Sequence, residues 1–148
     1  MAESRRHEPG DLLGVYRELG DVPDRHRLRA FAEAYEGRDA WHEWYEARVL
    51  TECHSEHGLK EAERHERRWK AHMDGRRHHA LATPADVDDY CGALLDAYSE
   101  SSVAKYFRRV ASFYGYLVCS TGHPHVYSPV LMAAAADGPA SEAWGCER

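Results

Sequence analysis

Two short basic segments interrupt an otherwise acidic sequence, and their side chains are the ones best suited to bind phosphate groups. The chain has 148 residues and a formal net charge of -6. Residues 59–79 nevertheless carry 7 basic and 4 acidic side chains, whereas residues 1–58 and 80–104 each have a net charge of -5. The second basic segment has three cations within five positions: Lys105, Arg108 and Arg109. Because clustered Lys and Arg neutralise nucleic-acid phosphates, this pattern favours one basic face on an acidic protein.

Cysteine and histidine offer a second chemistry, the binding of a metal ion. Cys53 and His57 are one helical turn apart, so a thiolate and an imidazole could reach the same ion. His54, His123 and His125 could supply the remaining ligands. Structural zinc sites usually show two closely spaced ligand pairs, and this sequence contains one loose pair. We therefore expect a buried thiol and an exposed imidazole, with no cofactor, and keep a metal-binding helical protein as the third alternative.

The spacing of the four cysteines also bears on the redox compartment. They are widely separated and form no C-x-x-C pair, so the sequence predicts neither a disulfide framework nor a zinc ribbon. The sequence opens with charged residues and contains no apolar stretch of membrane-spanning length. We expect a reduced, cytoplasmic protein that does not contact a membrane.

The elements that position these side chains are predicted to be helices. Apolar residues recur at three- and four-residue spacing, and no segment alternates as a half-buried strand would. The expected helices cover residues 23–35, 39–57, 59–74, 84–96, 100–120 and 129–136. Asp39 and Thr83 are expected N-caps, and Gly58 is expected to stop the second helix. The expected fold class is therefore all-α, a compact helical bundle.

The helix over residues 100–120 separates its apolar and basic sides most clearly. Its buried spine is predicted to contain Phe107, Val110, Phe113, Tyr114 and Leu117. Lys105, Arg108 and Arg109 are spaced so that they share the opposite, exposed face. In the second helix, the aromatic residues are expected in the core rather than on a base-stacking surface: Trp41, Trp44 and Tyr45.

Three segments follow one another in an order that resembles a known domain. They are ALATPADVDDYCGALLD (80–96), SESSVAKYFRRVASFYGYLVCSTG (99–122) and SPVLMA (128–133). Together with the helix before them, they resemble the SAM-like core-binding domain of phage integrases and other tyrosine recombinases. Ser128 stands where that family usually has Asn before Pro-Val.

The resemblance implies a DNA-binding domain without a catalytic domain. Family members use the core-binding domain to clamp one side of duplex DNA, while a separate C-terminal domain cuts and rejoins strands. That second domain supplies the Arg, Lys, His-x-x-Arg and Tyr residues of the reaction. It follows the Pro-Val helix, where this sequence has residues 134–148. We therefore expect no enzymatic activity, with residues 1–58 as an N-terminal helical extension, 59–136 as the core-binding domain and 137–148 as a flexible tail.

DNA binding requires the helices over residues 59–74 and 100–120 to lie side by side, so that their cations share one face. Hydroxyl groups at the start of the second of these helices could donate to phosphates that the helix dipole also attracts. The expected contact residues are Arg64, Arg67, Arg68, Ser101, Ser102, Lys105, Arg108 and Arg109. Double-stranded DNA is the expected partner, with a recombinase catalytic subunit or a second copy of this chain. The alternative is a helical protein–protein interaction module or a regulator of a mobile element, whose basic segments serve solubility alone.

Overall fold

Residues 8–146 are described by a computed structural model, in which every element of regular structure is helical. Four short 3-10 helices come first: Pro9–Leu12, Leu19–Asp21, Asp24–His26 and Leu28–Phe31. The 40–52 helix follows, and it runs without a break through α1 (Ala40–Trp44), a π-helical segment (Tyr45–Val49) and α2 (Leu50–Glu52). The remaining helices are α3 (Glu56–Met73), α4 (Pro84–Ala97), α5 (Glu100–Cys119), α6 (Pro129–Ala135) and α7 (Pro139–Gly145). The predicted all-α fold class is therefore confirmed for the described residues.

The prediction of a helix over residues 23–35 is wrong, although two of its apolar positions are buried. Arg27 is extended, with φ -70° and ψ 141°, and separates two short 3-10 helices. The Leu28 backbone N–H donates to the Tyr127 hydroxyl at 3.0 Å, so a tertiary contact uses this amide instead of an intrahelical bond. Leu28 and Tyr35 are nevertheless buried. The pattern therefore predicted the burial of these two residues, which does not require a regular helix, whereas Ala32 of the same pattern is exposed.

The predicted helix over residues 39–57 is divided at Cys53, whose backbone is extended. A new helix, α3, begins at Glu56, and the Ser55 hydroxyl caps it by accepting the Gly58 N–H at 3.0 Å. Gly58 was expected to end a helix, but it lies in the first turn of α3. A Cβ at position 58 would approach the Cys53 Sγ to 2.5 Å, so glycine is required for this close contact. Gly58 therefore allows a close contact with Cys53 and does not end a helix.

The helix N-caps predicted at Asp39 and Thr83 are confirmed. The Asp39 carboxylate caps the 40–52 helix by accepting the His42 N–H at 3.0 Å. Thr83 and Asp86 form a reciprocal capping box at the start of α4. Asp86 is buried, and its carboxylate also accepts a hydrogen bond from the Arg77 guanidinium.

The core is centred on α5, whose predicted spine is fully buried. The Phe113 ring packs against Trp41, with ring centroids 4.8 Å apart, and against Trp44, with centroids 5.7 Å apart. Burial of these aromatic residues in the core is thereby confirmed, and Tyr45 is partly buried beside them. The 40–52 helix shares this core with α5, so the boundary expected at residue 58 does not separate two hydrophobic cores.

The chain after residue 136 was expected to be a flexible tail, and this expectation is wrong for its described part. Helix α7 packs against α4, α5 and α6. Ala140 and Ala143 are completely buried, because small side chains let α7 approach its neighbours closely. The Ala140 N–H donates to the Asp88 carboxylate at 3.0 Å, which satisfies a helix-start amide. Residues 147–148 of the expected tail lie outside the described residues.

Candidate nucleic-acid interface

A basic cleft of about 640 Å³ lies between the 40–52 helix, the first half of α3 and the exposed side of α5. The basic cleft is lined by four permanently charged cations and two carboxylates: Arg48, Lys105, Arg108, Arg109, Glu52 and Glu61. Aromatic rings of Trp44 and Tyr116 form part of its walls. The three cations predicted on α5 are thus brought together at one concave surface.

The carboxylate of Glu61 in the basic cleft is already paired. Its Oε2 lies 3.7 Å from the Lys105 ammonium and 3.7 Å from the Arg64 guanidinium. The Lys105–Glu61 pair and the Arg109–His65 hydrogen bond join α5 to α3, whereas the Arg64–Glu61 pair lies within α3, so the predicted side-by-side packing of the two basic helices is confirmed. Since Glu61 is neutralised from both helices, the basic cleft retains a positive balance.

Arg109 is partly buried at the α3–α5 boundary of the basic cleft. Its Nε donates to the His65 Nδ1 at 3.2 Å, which is the one hydrogen bond that its side chain makes within residues 8–146. Burial, together with the neighbouring Arg109 charge, lowers the pKa of His65 to about 4. His65 is therefore a neutral acceptor at pH 7, and it orients Arg109 while leaving both terminal guanidinium nitrogens without a partner among residues 8–146.

Of the remaining basic residues predicted on α3, Arg64 and Arg68 lie near the seam with α5 but outside the basic cleft, whereas no contact within residues 8–146 links Arg67 to α5. The Arg68 guanidinium stacks on Tyr98 at 5.1 Å from the ring centroid and donates to its hydroxyl at 3.3 Å. Tyr98 in turn stacks on Tyr106, with ring centroids 5.0 Å apart. Arg67 is exposed on the same helix. The structure therefore brings Arg64 close to the predicted α5 residues and directs Arg68 to the start of α5.

The two serines predicted to donate to phosphates lie at the start of α5. Ser99 is the N-cap and accepts the Ser102 N–H. The hydroxyls of Ser101 and Ser102 are each 3.3 Å from the Ser99 hydroxyl, so all three form one small network. Ser101 precedes Lys105 by one helical turn and shares its side of α5. The serines extend the basic surface without lining the basic cleft.

Arg48 is the cleft residue that sequence reasoning missed. It lies in the π-helical segment of the 40–52 helix. A π-helical turn contains more residues than an α-helical turn, so it changes which side chains face α5. A regular 3.6-residue pattern cannot predict this change, and the isolated basic residue carried no other signal.

A second concentration of polar side chains is buried beneath the loops that follow α3 and α5. We call it the histidine cluster, and its rings pack against one another: Tyr35, His78, His79, His123 and His125. His78 and His79 stack with ring centroids 4.1 Å apart. The His125 Nε2 bonds the Ala80 carbonyl at 2.7 Å. No periodicity predicted the histidine cluster, because its members come from loops.

Within the histidine cluster, three groups have the order of a nucleophile, a base and a carboxylate. The Tyr35 hydroxyl bonds the His123 Nδ1, and the His123 Nε2 lies 3.2 Å from the Glu43 carboxylate. Arg38 holds this carboxylate through two bonds of 2.7 and 3.0 Å. Tyr35 is 1% exposed, and burial raises its pKa to about 12. A substrate cannot reach the hydroxyl, so this arrangement is a structural network.

The ligands considered for a metal are not assembled. His123 and His125 belong to the histidine cluster, whereas the side chain of His57 is 86% exposed. Across residues 8–146, no group of three or more His, Cys, Asp or Glu side chains is arranged to hold a metal ion. Cys53 is partly buried at the basic cleft.

Comparison with known proteins gave no match to a protein family, a characterised protein or a solved structure. Among the described helices, none has the length and apolar character needed to cross a membrane.

Proposed function

We propose that this chain is a non-catalytic module that binds double-stranded DNA through α5 and the basic cleft. The observation that supports the proposal is the gathering of Lys105, Arg108 and Arg109 at one surface, beside Arg64 of α3. Cations grouped in this way release counterions when they meet the phosphates of a duplex.

The distribution of charge around the molecule favours one orientation on DNA. Residues 80–104, which include α4, have a net charge of -5. A duplex approaching that side is repelled, whereas the α3–α5 side attracts it. The expected consequence is weak, salt-sensitive and orientation-specific binding.

The resemblance of residues 59–136 to an integrase core-binding domain points to the same partner and to the same helix. It is also consistent with an absence of strand cleavage, because the catalytic residues of that family belong to another domain. On this proposal, a recombinase catalytic subunit or a second copy of this chain assists binding in recombination or integration.

Changing all three α5 cations to Gln tests the proposal. Fluorescence anisotropy with a labelled duplex, repeated at several salt concentrations, gives the slope of log affinity against log salt. We expect the triple variant to lose about three units of slope, one for each phosphate contact. Arg25→Gln is the matched control, because Arg25 is exposed on the N-terminal segment and does not line the basic cleft.

An unchanged slope and affinity in the triple variant would overturn DNA binding by this surface and favour the protein–protein interaction module. Incubation with supercoiled plasmid adds an independent test. Shifted DNA without a covalent protein–DNA adduct is expected, and a stable phosphotyrosyl adduct would contradict the non-catalytic assignment.

A further inference from the structure

We propose that Arg48 and Arg109 hold one phosphate group between them inside the basic cleft. The inference builds on the proposed function, under which this group is a backbone phosphate of DNA. A free phosphorylated ligand presents the same chemistry. The 40–52 helix, which lies outside the integrase resemblance, then forms one wall of the binding site.

The strongest reason for a phosphate at this place is the state of Arg109. The side chain is partly buried, and no carboxylate among residues 8–146 lies within 4.0 Å of its guanidinium. Withdrawing a cation from water is unfavourable unless an anion or hydrogen-bond acceptors compensate. His65 bonds the Nε alone, so the two terminal nitrogens remain available to an anion in the basic cleft. This forked pair of donors matches the oxygen atoms of a phosphate.

Arg48 lines the basic cleft from the 40–52 helix. Its side chain is exposed and makes no hydrogen bond or ion pair within residues 8–146, so it can turn toward a ligand without breaking a contact. The helix places it at the basic cleft in spite of its separation in sequence from α5. Two arginines from different helices can therefore contact different oxygens of one phosphate.

The carboxylates of the basic cleft do not prevent anion binding. Glu61 is paired with Lys105 and Arg64 at 3.7 Å each. Glu52 is exposed at the end of the 40–52 helix, where water screens its charge. Arg108 and Lys105 add to the positive potential at the phosphate position.

The size of the basic cleft sets the class of ligand. A volume of about 640 Å³ is typical of sites for small molecules and exceeds what a bare phosphate requires. A phosphate can therefore enter with the sugar attached to it, beside the aromatic walls of Trp44 and Tyr116. The expected ligand is the phosphate of a nucleotide or of a nucleic-acid strand.

Pyrophosphate titrated into the full chain by isothermal calorimetry is the direct test. We expect Arg48→Gln to weaken binding about tenfold, the usual effect of losing hydrogen bonds to a charged group. Arg109→Lys keeps the charge but removes the forked donors, and a similar loss is expected. Arg25→Gln is the control and should bind as the wild type does. Because Arg48 is exposed and makes no bond within residues 8–146, its substitution does not threaten folding.

Two measurements separate this inference from the proposed function. Wild-type protein that fails to bind pyrophosphate, or an Arg48→Gln variant that binds it normally, overturns the inference even if the α5 triple variant loses DNA. Conversely, pyrophosphate binding that requires both arginines, in a protein that binds no duplex, overturns DNA binding and assigns the site to a free phosphorylated ligand. If the source is DNA, Arg48→Gln also lowers the salt slope of duplex binding by about one unit.

Discussion

The basic cleft and the histidine cluster both collect nitrogen-bearing side chains from several elements, yet they differ in how those nitrogens are used. In the basic cleft, Arg48 and Arg109 have donors without a protein partner within residues 8–146. In the histidine cluster, each imidazole bonds a backbone or side-chain group of the fold. Residue type alone therefore does not separate the basic cleft from the histidine cluster; solvent access does.

The difference extends to charge. Burial lowers the pKa values of all four histidines of the cluster, to about 3 for His79 and about 4 for His125. These rings are neutral at pH 7. Arginine in the basic cleft stays charged at every accessible pH. A neutral buried cluster stabilises the fold near neutrality, whereas a charged open cleft attracts anions throughout the pH range.

Acidification should break the histidine cluster and gives the largest expected effect. Its pKa values are lower in the folded chain than the ordinary 6.5, so the unfolded chain binds more protons below that pH. The free energy of unfolding is therefore not reduced by the histidine cluster above about pH 6.5, and it falls as the pH decreases below that value. Between pH 6.5 and its pKa in the folded chain, each histidine lowers the free energy of unfolding by about 1.4 kcal/mol for each pH unit of acidification. Urea unfolding at a series of pH values measures the slope, and a flat profile would contradict the description of the cluster as neutral.

A single substitution sharpens the acid experiment. His125→Gln retains a donor for the Ala80 carbonyl but cannot take up a proton. The pH slope of the unfolding free energy should fall by about 1.4 kcal/mol per pH unit. His57→Gln is the control, because it makes the same substitution at an imidazole outside the histidine cluster whose side chain is 86% exposed.

Phe113→Ala tests whether the basic cleft and the histidine cluster both depend on packing against the same buried ring. Phe113 packs against Trp44, a wall of the basic cleft, and lies 6.0 Å from the His79 ring of the histidine cluster. Loss of its fully buried ring should cost about 3–5 kcal/mol of unfolding free energy. Thermal unfolding measures this loss, and duplex affinity is measured at a temperature where the variant is folded. Unchanged stability would remove Phe113 from the core, and a lost affinity would show that the basic cleft depends on this ring.

Glu61→Gln should raise the affinity for duplex DNA, whereas the arginine variants lower it, and its effect is expected to be the smallest. Removing the carboxylate frees Lys105 and Arg64 from their 3.7 Å pairs. We expect duplex affinity to rise about threefold through the stronger positive potential. Unfolding free energy should change by less than about 1 kcal/mol, as for other partly exposed ion pairs. Glu63→Gln on the exposed side of α3 is the control, and weaker DNA binding by Glu61→Gln would contradict the assignment of the basic cleft.

The features predictable from the sequence are those with a local cause. The apolar period of α5 predicted its buried spine, and Thr83 with Pro84 predicted the start of α4. The same period placed Lys105, Arg108 and Arg109 together on the exposed side, where they line the basic cleft. In each case the information lies within a few turns of helix.

The features that escaped prediction depend on tertiary contacts. The π-helical segment that carries Arg48 changes register where Trp44 and Val49 pack into the core. Helix α7 was missed because its fully buried residues, Ala140 and Ala143, give little hydrophobic signal. The extended backbone at Arg27 follows from a partner far along the chain, the Tyr127 hydroxyl next to Leu28.

The hydrogen bond between Leu28 and Tyr127 also has a kinetic consequence. It joins positions 99 residues apart, so the loop that it closes contains most of the chain. Loop-closure entropy makes such a contact slow to form compared with helix–helix contacts between sequence neighbours. The N-terminal segment is therefore expected to dock late in folding, after α5 and α6 have come together. In stopped-flow refolding, Tyr127→Phe should accelerate unfolding and leave the refolding rate nearly unchanged.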